Sequence, residues 1–65
     1  MQGLQLNNFG RFVFDIEYGS KRYEFDIEGA EITDTDQHWI WLSCQDGDCY
    51  NVKKANVKLF EPMER

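Results

Sequence analysis

Two stretches of strictly alternating apolar and polar residues, separated by a Gly-Ser dipeptide at positions 19–20, constrain the fold of this chain most strongly. Residues 12–18 read FVFDIEY and residues 23–28 read YEFDIE. Alternation with a period of two, in aromatic and β-branched residues, predicts two half-buried β-strands. Glycine at the first position of a two-residue loop favours a type II′ turn, which fixes the antiparallel register. The apolar sides of the strands then coincide in three cross-strand pairs: Ile16 with Tyr23, Phe14 with Phe25, and Phe12 with Ile27.

The rest of the chain predicts further short strands linked by turns. We expect Gly29 to bend the chain and to end the second strand. The following elements are strands at residues 30–33, 38–44, 48–53 and 57–60, an Asp-rich turn at 34–37 and one helical turn at 54–56. Asp side chains favour turns because they accept hydrogen bonds from nearby backbone amides. The pattern as a whole is typical of an all-β domain.

The loop around Gly47 sets a second register. Gly47 suits the third position of a three-residue loop, as in a G1-bulge turn. The predicted pairs are Leu42 with Tyr50 and Ile40 with Val52 on the core side, and Trp39 with Lys53 and Trp41 with Asn51 on the outer side. In this register Cys44 and Cys49 lie on opposite faces as free thiols, whereas a two-residue loop at 46–47 would place them directly opposite each other.

The second half of the chain has a broader likeness to a known group of folds. The stretch GAEITDTDQHWIWLSCQDGDCYNVKKANVKLFEP contains a strand, a tight turn, a hairpin and a short helical turn before a final strand. It resembles the SH3-like small barrels, a group that includes Tudor and KOW domains. The resemblance implies an all-β, five- to six-stranded antiparallel barrel over residues 1–65, with an N-terminal arm at 1–10 and one short helical turn before the last strand. Such barrels bind peptides, methylated tails, RNA or proteins, so the fold alone selects no function.

Size and residue inventory argue against catalysis. The chain has 65 residues with one His and two Cys, which leaves little room for a ligand pocket of about 300–1,000 Å³ and no matched acid and base. We therefore expect no enzyme activity, no cofactor and no metal site. No apolar run approaches the ~18 residues of a membrane helix, and the first residues lack the pattern of a signal peptide. Two cysteines without such a signal fit the reducing cytoplasm.

A row of acidic residues is the first candidate binding surface. The net charge of −5 comes entirely from the first 36 residues, which hold eight acids and three bases. Five of these acids point away from the aromatic side of the predicted hairpin: Asp15, Glu17, Glu24, Asp26 and Glu28. The row fits two interpretations, an anionic surface for a basic partner or an ordinary solvated face whose charges keep sheet edges from pairing. The second is the commoner meaning of a charge run, and the sequence leaves both open.

Two tryptophans form the second candidate surface. Trp39 and Trp41 share the outer face of their strand, with Lys53 beside them. Exposed, they would make an aromatic binding patch. In the alternative, the N-terminal arm, with Leu4 and Leu6, folds over the indoles.

Together these features predict a non-enzymatic protein-binding module that occupies a basic surface of its partner. The sharper version is a small acidic inhibitor, of the phage or mobile-element type, that mimics nucleic-acid charge against a nucleic-acid-handling protein. One alternative is direct nucleic-acid contact through Trp39 and Trp41 with Lys53, Lys54 and Lys58. Another is a Tudor-like aromatic cage for methylated lysine. The negative net charge disfavours free nucleic acid, because phosphate binding requires Lys and Arg.

Overall fold

Five antiparallel strands account for most of the fold, which a computed structural model describes for residues 3–65. The strands are β1 (Phe9–Tyr18), β2 (Lys21–Thr35), β3 (Trp39–Cys44), β4 (Cys49–Lys53) and β5 (Val57–Pro62), and a 3₁₀ turn (Lys54–Asn56) precedes β5. They form one sheet in the order β4-β3-β2-β1-β5. The prediction of an all-β domain with a helical turn before the last strand is confirmed. The sheet is open, since the terminal strands β4 and β5 do not pair with each other.

The β1–β2 hairpin has the predicted register. Phe14 pairs with Phe25, and the neighbouring apolar pairs match the prediction as well. Gly19 has a φ of 63° while Ser20 keeps a negative φ, the combination that a type II′ turn requires. The alternating pattern and the turn glycine therefore specify the same pairing, as expected where one face of a strand is buried.

β2 is a single strand of 15 residues, so the prediction that Gly29 ends one strand and begins another is wrong. Gly29 has a φ of 75°, which bends the strand without ending it. Before the bend β2 pairs with β1 alone, and from Ala30 to Thr35 it pairs with β3. A side chain at Gly29 would also stand 2.8 Å from the Gln45 side-chain oxygen. The left-handed backbone is the reason that glycine is favoured here, since the end of the flexible Gln45 side chain can move aside.

The β3–β4 hairpin also has the predicted register, with Ile40 paired to Val52 and Trp39 to Lys53. Its three-residue loop is closed by a bond from the Cys44 N–H to the Asp48 carbonyl at 2.8 Å. Gly47, the third residue of that loop, has a φ of 98°. Cys44 and Cys49 are both free thiols.

The core lies between the inner face of β1 and β2 and that of β3 and β4. Its buried apolar residues are Leu4, Phe12, Phe14, Ala30, Ile32, Ile40, Leu42, Val52 and Val57. Leu4 brings part of the predicted N-terminal arm into this core, while Leu6 is 52% exposed. Backbone bonds of 2.8 and 2.9 Å tie Asn7 and Asn8 to Ile32. The arm therefore covers the core rather than the indoles, which belong to the opposite face of β3; its first two residues lie outside the described part of the chain.

Candidate binding surfaces

The outer face of the β1–β2 hairpin, together with β5, carries an interleaved set of charges that we call the acidic face. Its carboxylates are Asp15, Glu17, Glu24, Asp26, Glu28 and Glu61, and its bases are Arg11, Arg22 and Lys58. All five acids predicted from the sequence lie on this face. The hairpin register predicts the pairing of Arg22 with Glu17, which the structure shows, whereas the binding of Arg11 and Lys58 among these acids was not predicted.

Asp15 departs from the expectation of an exposed carboxylate, because it is 4% exposed. Lys58 reaches over it from β5, with Nζ 3.2 Å from Asp15 Oδ1 and 2.6 Å from Glu24 Oε2. Arg22 contacts the other Asp15 oxygen at 3.4 Å. Lys58 thus offsets the repulsion between the two directly opposed acids. Its hydrogen bonds to Glu24, and then to Asp15, raise the pKa of the Lys58 ammonium.

Arg11 organises the other end of the acidic face. Its Nε and Nη2 donate to the two oxygens of Asp26 at 2.8 and 2.7 Å, a bidentate arrangement, and its Nη1 donates to Glu61 on β5. The hydrogen bond from Arg11 holds the pKa of Asp26 below its usual value. Planar guanidinium groups fit carboxylates in this two-point manner, so Asp26 is held in a defined position.

The acidic face remains negative after this pairing. Three bases among six carboxylates leave an excess of three negative charges. Glu17 lies 3.6 Å from Arg22, whereas Glu28 is exposed and has no ion pair among residues 3–65. Most of the net charge of the chain therefore sits on one side of the molecule.

Trp39 and Trp41 lie on the outer face of β3, as predicted, and both are half-buried. The Nζ of Lys53 stands 5.7 Å from the centre of the Trp39 ring, within the range of a cation–π contact. A shallow depression of about 540 Å³ adjoins the ring and is lined by Gln37, His38, Trp39, Lys53, Lys54 and Ala55. We call this region the tryptophan face.

An Asp-capped turn holds the start of the tryptophan face. The Asp36 carboxylate accepts the backbone N–H groups of His38 and Trp39, each at 2.9 Å. These two bonds lower the pKa of Asp36, since they favour its ionised form. The turn predicted at 34–37 is therefore present but begins later, because Asp34 and Thr35 belong to β2. Asp36 fixes the position from which Trp39 projects.

The lysines proposed alongside the tryptophans do not stay together. Lys53 and Lys54 border the depression beside Trp39. Lys58 instead lies on the acidic face, bound to Asp15 and Glu24. The structure thus pairs Lys58 with carboxylates and leaves Lys53 and Lys54 beside the indole. Lys58 lies at the register irregularity of β5, between the residues paired with Val13 and Phe14, and its partners come from distant parts of the chain.

Three rings converge in the structure, although they do not form a cage. Phe14, Phe25 and Tyr50 have centroid separations of 5.5 to 5.7 Å. Phe14 has no exposed surface, and the three rings pack directly on one another. A methyl-lysine cage needs rings that stand around an open space, so the arrangement does not favour that alternative.

No protein-family model, curated protein or solved structure matches the chain. Within residues 3–65, no group of three or more His, Cys, Asp or Glu side chains is placed to hold a metal ion. The same part of the chain contains no helix long and apolar enough to cross a membrane. The surfaces must therefore be interpreted from their own geometry.

Proposed function

We propose that the protein is a non-enzymatic binding module that presents its acidic face to a basic surface of a partner protein. The observation that carries this proposal is the excess of three negative charges on a face where five of the six carboxylates are paired with bound bases. A surface whose side chains are already ordered loses less conformational entropy on binding. Complementary charge also speeds association and excludes wrong partners.

The arrangement of strands supports a place among the SH3-like small barrels. The order β4-β3-β2-β1-β5, with a 3₁₀ turn before β5, agrees with the strand, hairpin and helical-turn pattern that suggested the resemblance. A small acidic domain of this kind suits an inhibitor that covers the nucleic-acid-handling surface of another protein, as elements such as phages deploy. It would act by occupying that surface without any reaction.

The experiment is capture of partners from a host lysate by the tagged chain and by two sets of variants. The neutralised variant Glu24→Gln/Asp26→Asn/Glu28→Gln removes three charges from the acidic face, and its matched control Glu31→Gln/Asp48→Asn/Glu64→Gln removes three charges outside that face. Neutralisation is preferred to reversal because a lysine at 24 or 26 would repel Lys58 or Arg11. We expect only the first triple variant to lose the captured protein.

Salt provides the second arm of the same experiment. Exposed charges are screened over about 8 Å at physiological ionic strength, so capture should weaken between 50 and 300 mM salt (about a sixfold change in ionic strength). Retention of the same partner by the neutralised variant, or capture that salt does not affect, would contradict the proposal. Circular dichroism of each variant confirms that it is folded.

A second candidate function is nucleic-acid contact at the tryptophan face. It is favoured by Lys53 and Lys54, which flank a half-buried indole and have no ion pair among residues 3–65. Bases stack on aromatic rings while lysines contact phosphate. This function predicts that Trp39→Ala and Lys53→Gln abolish binding, and that the neutralised variant binds as well as the natural chain or better.

A further inference from the structure

The first half of β2 has an unpaired backbone edge, which borders both an apolar and an acidic strip. Residues 21–27 of β2 pair with β1 alone, residues 28–29 lie in a register irregularity, and pairing with β3 begins only at Ala30. None of residues 21–28 makes a backbone hydrogen bond elsewhere in the described chain. A strand edge of this length is a template for another extended chain.

The hairpin register tells which backbone groups are free. The two-residue turn makes Tyr18 and Lys21 a hydrogen-bonded pair, and bonded pairs then alternate along an antiparallel ladder. Arg22, Glu24 and Asp26 occupy the intervening positions. Their N–H and C=O groups therefore point away from β1, toward the open edge.

The side chains along this edge differ sharply between its two faces. On the inner face lie Tyr23, 47% exposed, and the half-buried Phe25 and Ile27. Half-buried Tyr50 packs against Phe25, with ring centres 5.5 Å apart. The outer face of the same edge begins with Arg22, whose charge is paired with Asp15 and Glu17, and continues with the three acids Glu24, Asp26 and Glu28. The edge thus alternates between an apolar strip and an acidic strip, residue by residue.

We propose that the free edge of β2 accepts an extended segment of the partner protein in which basic and apolar residues alternate. The added strand would bond to the backbone of Arg22, Glu24 and Asp26, as in strand addition to a sheet edge. Its apolar side chains would cover Tyr23 and Phe25. Its basic side chains would lie along the acidic strip, where Glu28 has no ion pair among residues 3–65.

Charge selects this occupant over a second copy of the chain. Two β2 edges paired with each other would place Glu24, Asp26 and Glu28 against the same acids on one face, and like charges directly opposed destabilise a sheet. The two remaining edges are less suited. β4 turns its free edge toward β1, across a depression lined by Ile16 and Val52 among others, and β5 carries Lys58 and ends at Pro62. The inference rests on the proposed function, since it names the part of the partner that the acidic face would meet.

The test uses an eight-residue peptide of alternating Lys and Val, capped at both ends. One control peptide has four Lys followed by four Val, and a second alternates Glu and Val. Amide hydrogen exchange of the full chain, followed by NMR, reports the contact. At saturation we expect exchange to slow about tenfold at Arg22, Glu24 and Asp26, as for newly formed backbone bonds. The amides of Tyr23 and Phe25, already bonded to β1, serve as internal controls and should not change.

Variants separate backbone pairing from charge. Glu24→Pro removes an N–H that points to the open edge and leaves the β1 ladder intact, whereas Glu24→Gln removes only the charge. We expect the proline variant to bind the alternating peptide about tenfold more weakly than the glutamine variant, because proline lacks the N–H donor and alters the backbone at the strand edge. Asp26→Asn should weaken binding more than Glu61→Gln, although both lose a carboxylate bound to Arg11.

Several results would overturn the inference. The first is no binding of the alternating peptide up to about 1 mM, the weak end of measurable affinity. The second is equal binding of the control peptide in which four Lys precede four Val. The third is slowed amide exchange at residues outside β2. A concentration-dependent dimer that protects the same three amides would assign the edge to a second copy. If the peptide fails while partner capture still depends on the acidic face and on salt, the inference falls and the proposed function stands.

Discussion

The contrast between Phe14 and Phe25 gives the sharpest stability prediction. The two rings stack with centroids 5.5 Å apart, yet Phe14 is completely buried whereas Phe25 is half-buried. Replacing a buried Phe by Ala costs about 3–5 kcal/mol. A chain of this length has a total stability of about 3–10 kcal/mol. Phe14→Ala should therefore remove at least about a third of the stability, and it unfolds the chain if the total lies near the lower end of that range.

Milder substitutions keep the comparison measurable. We expect Phe14→Leu to lower the free energy of unfolding by about 1–2 kcal/mol, from lost apolar contact and a small cavity. Phe25→Leu should cost less, because Phe25 is only partly buried and part of its ring already contacts water. Urea titration followed by tryptophan fluorescence measures the stability of both variants. If the free energy of unfolding falls by about 1 kcal/mol per M urea, Phe14→Leu should shift the unfolding midpoint by about 1–2 M. Equal costs, or a larger cost at Phe25, would refute the assignment of Phe14 to the centre of the core.

Three further predictions concern a bend, the thiols and a capped turn. Gly29→Ala should destabilise the fold by about 1–2 kcal/mol, because the left-handed backbone at this position disfavours a side chain. Adding Gln45→Ala should restore only the part of this loss that comes from the steric contact with Gln45. Full restoration of the stability in urea titrations would show that the backbone conformation contributes nothing. Burial, together with the neighbouring carboxylates, raises the pKa of the Cys44 thiol. Iodoacetamide should therefore modify Cys49 before Cys44 at pH near 8, which mass spectrometry of timed samples can show. Modification of Cys44 first would contradict its burial. Two backbone N–H groups lower the pKa of Asp36 from 3.8, so the stability that Asp36 contributes is complete above about pH 4 and is lost as the pH falls through its folded-state pKa. In acid titrations, Asp36→Asn should lose stability less steeply over this pH range than the natural chain. An unchanged slope would contradict this role of Asp36.

Local patterns were sufficient to predict both hairpins. The alternation at residues 12–18 and 23–28, with the turn at 19–20, specified the first register, and Gly47 specified the second. In each case a short loop leaves few ways to join two strands whose apolar faces must coincide. The same registers predicted which face of each strand points to the core, and that Trp39 and Trp41 lie on the outer face of β3.

Features that depend on distant residues were not predictable in the same way. Lys58 binds Asp15 because β5 returns beside β1, with a register irregularity between Val13 and Phe14. A pattern within one strand contains no information about such a shift. The acidic residues were located correctly, but the burial of Asp15 and the binding of Arg11 to Asp26 required the assembled sheet.

The role of Gly29 shows a different limit. A glycine in a strand pattern marks either an end or a bend, and the sequence does not distinguish them. Because β2 continues through the bend and changes partners, its first half is left with an open edge. That edge is therefore a property of the sheet topology, although the residues along it alternate visibly in the sequence.

The most direct test of the account is whether the chain binds a cation-rich protein surface or bare nucleic acid. Fluorescence anisotropy of the labelled chain is measured against single-stranded DNA and, separately, against the partner captured from the lysate, at low and high salt. We expect no binding to DNA, and salt-sensitive binding to the partner that is lost when Glu24, Asp26 and Glu28 are neutralised. Salt-sensitive binding to bare DNA that disappears with Trp39→Ala would contradict it, because a negatively charged working face repels phosphate.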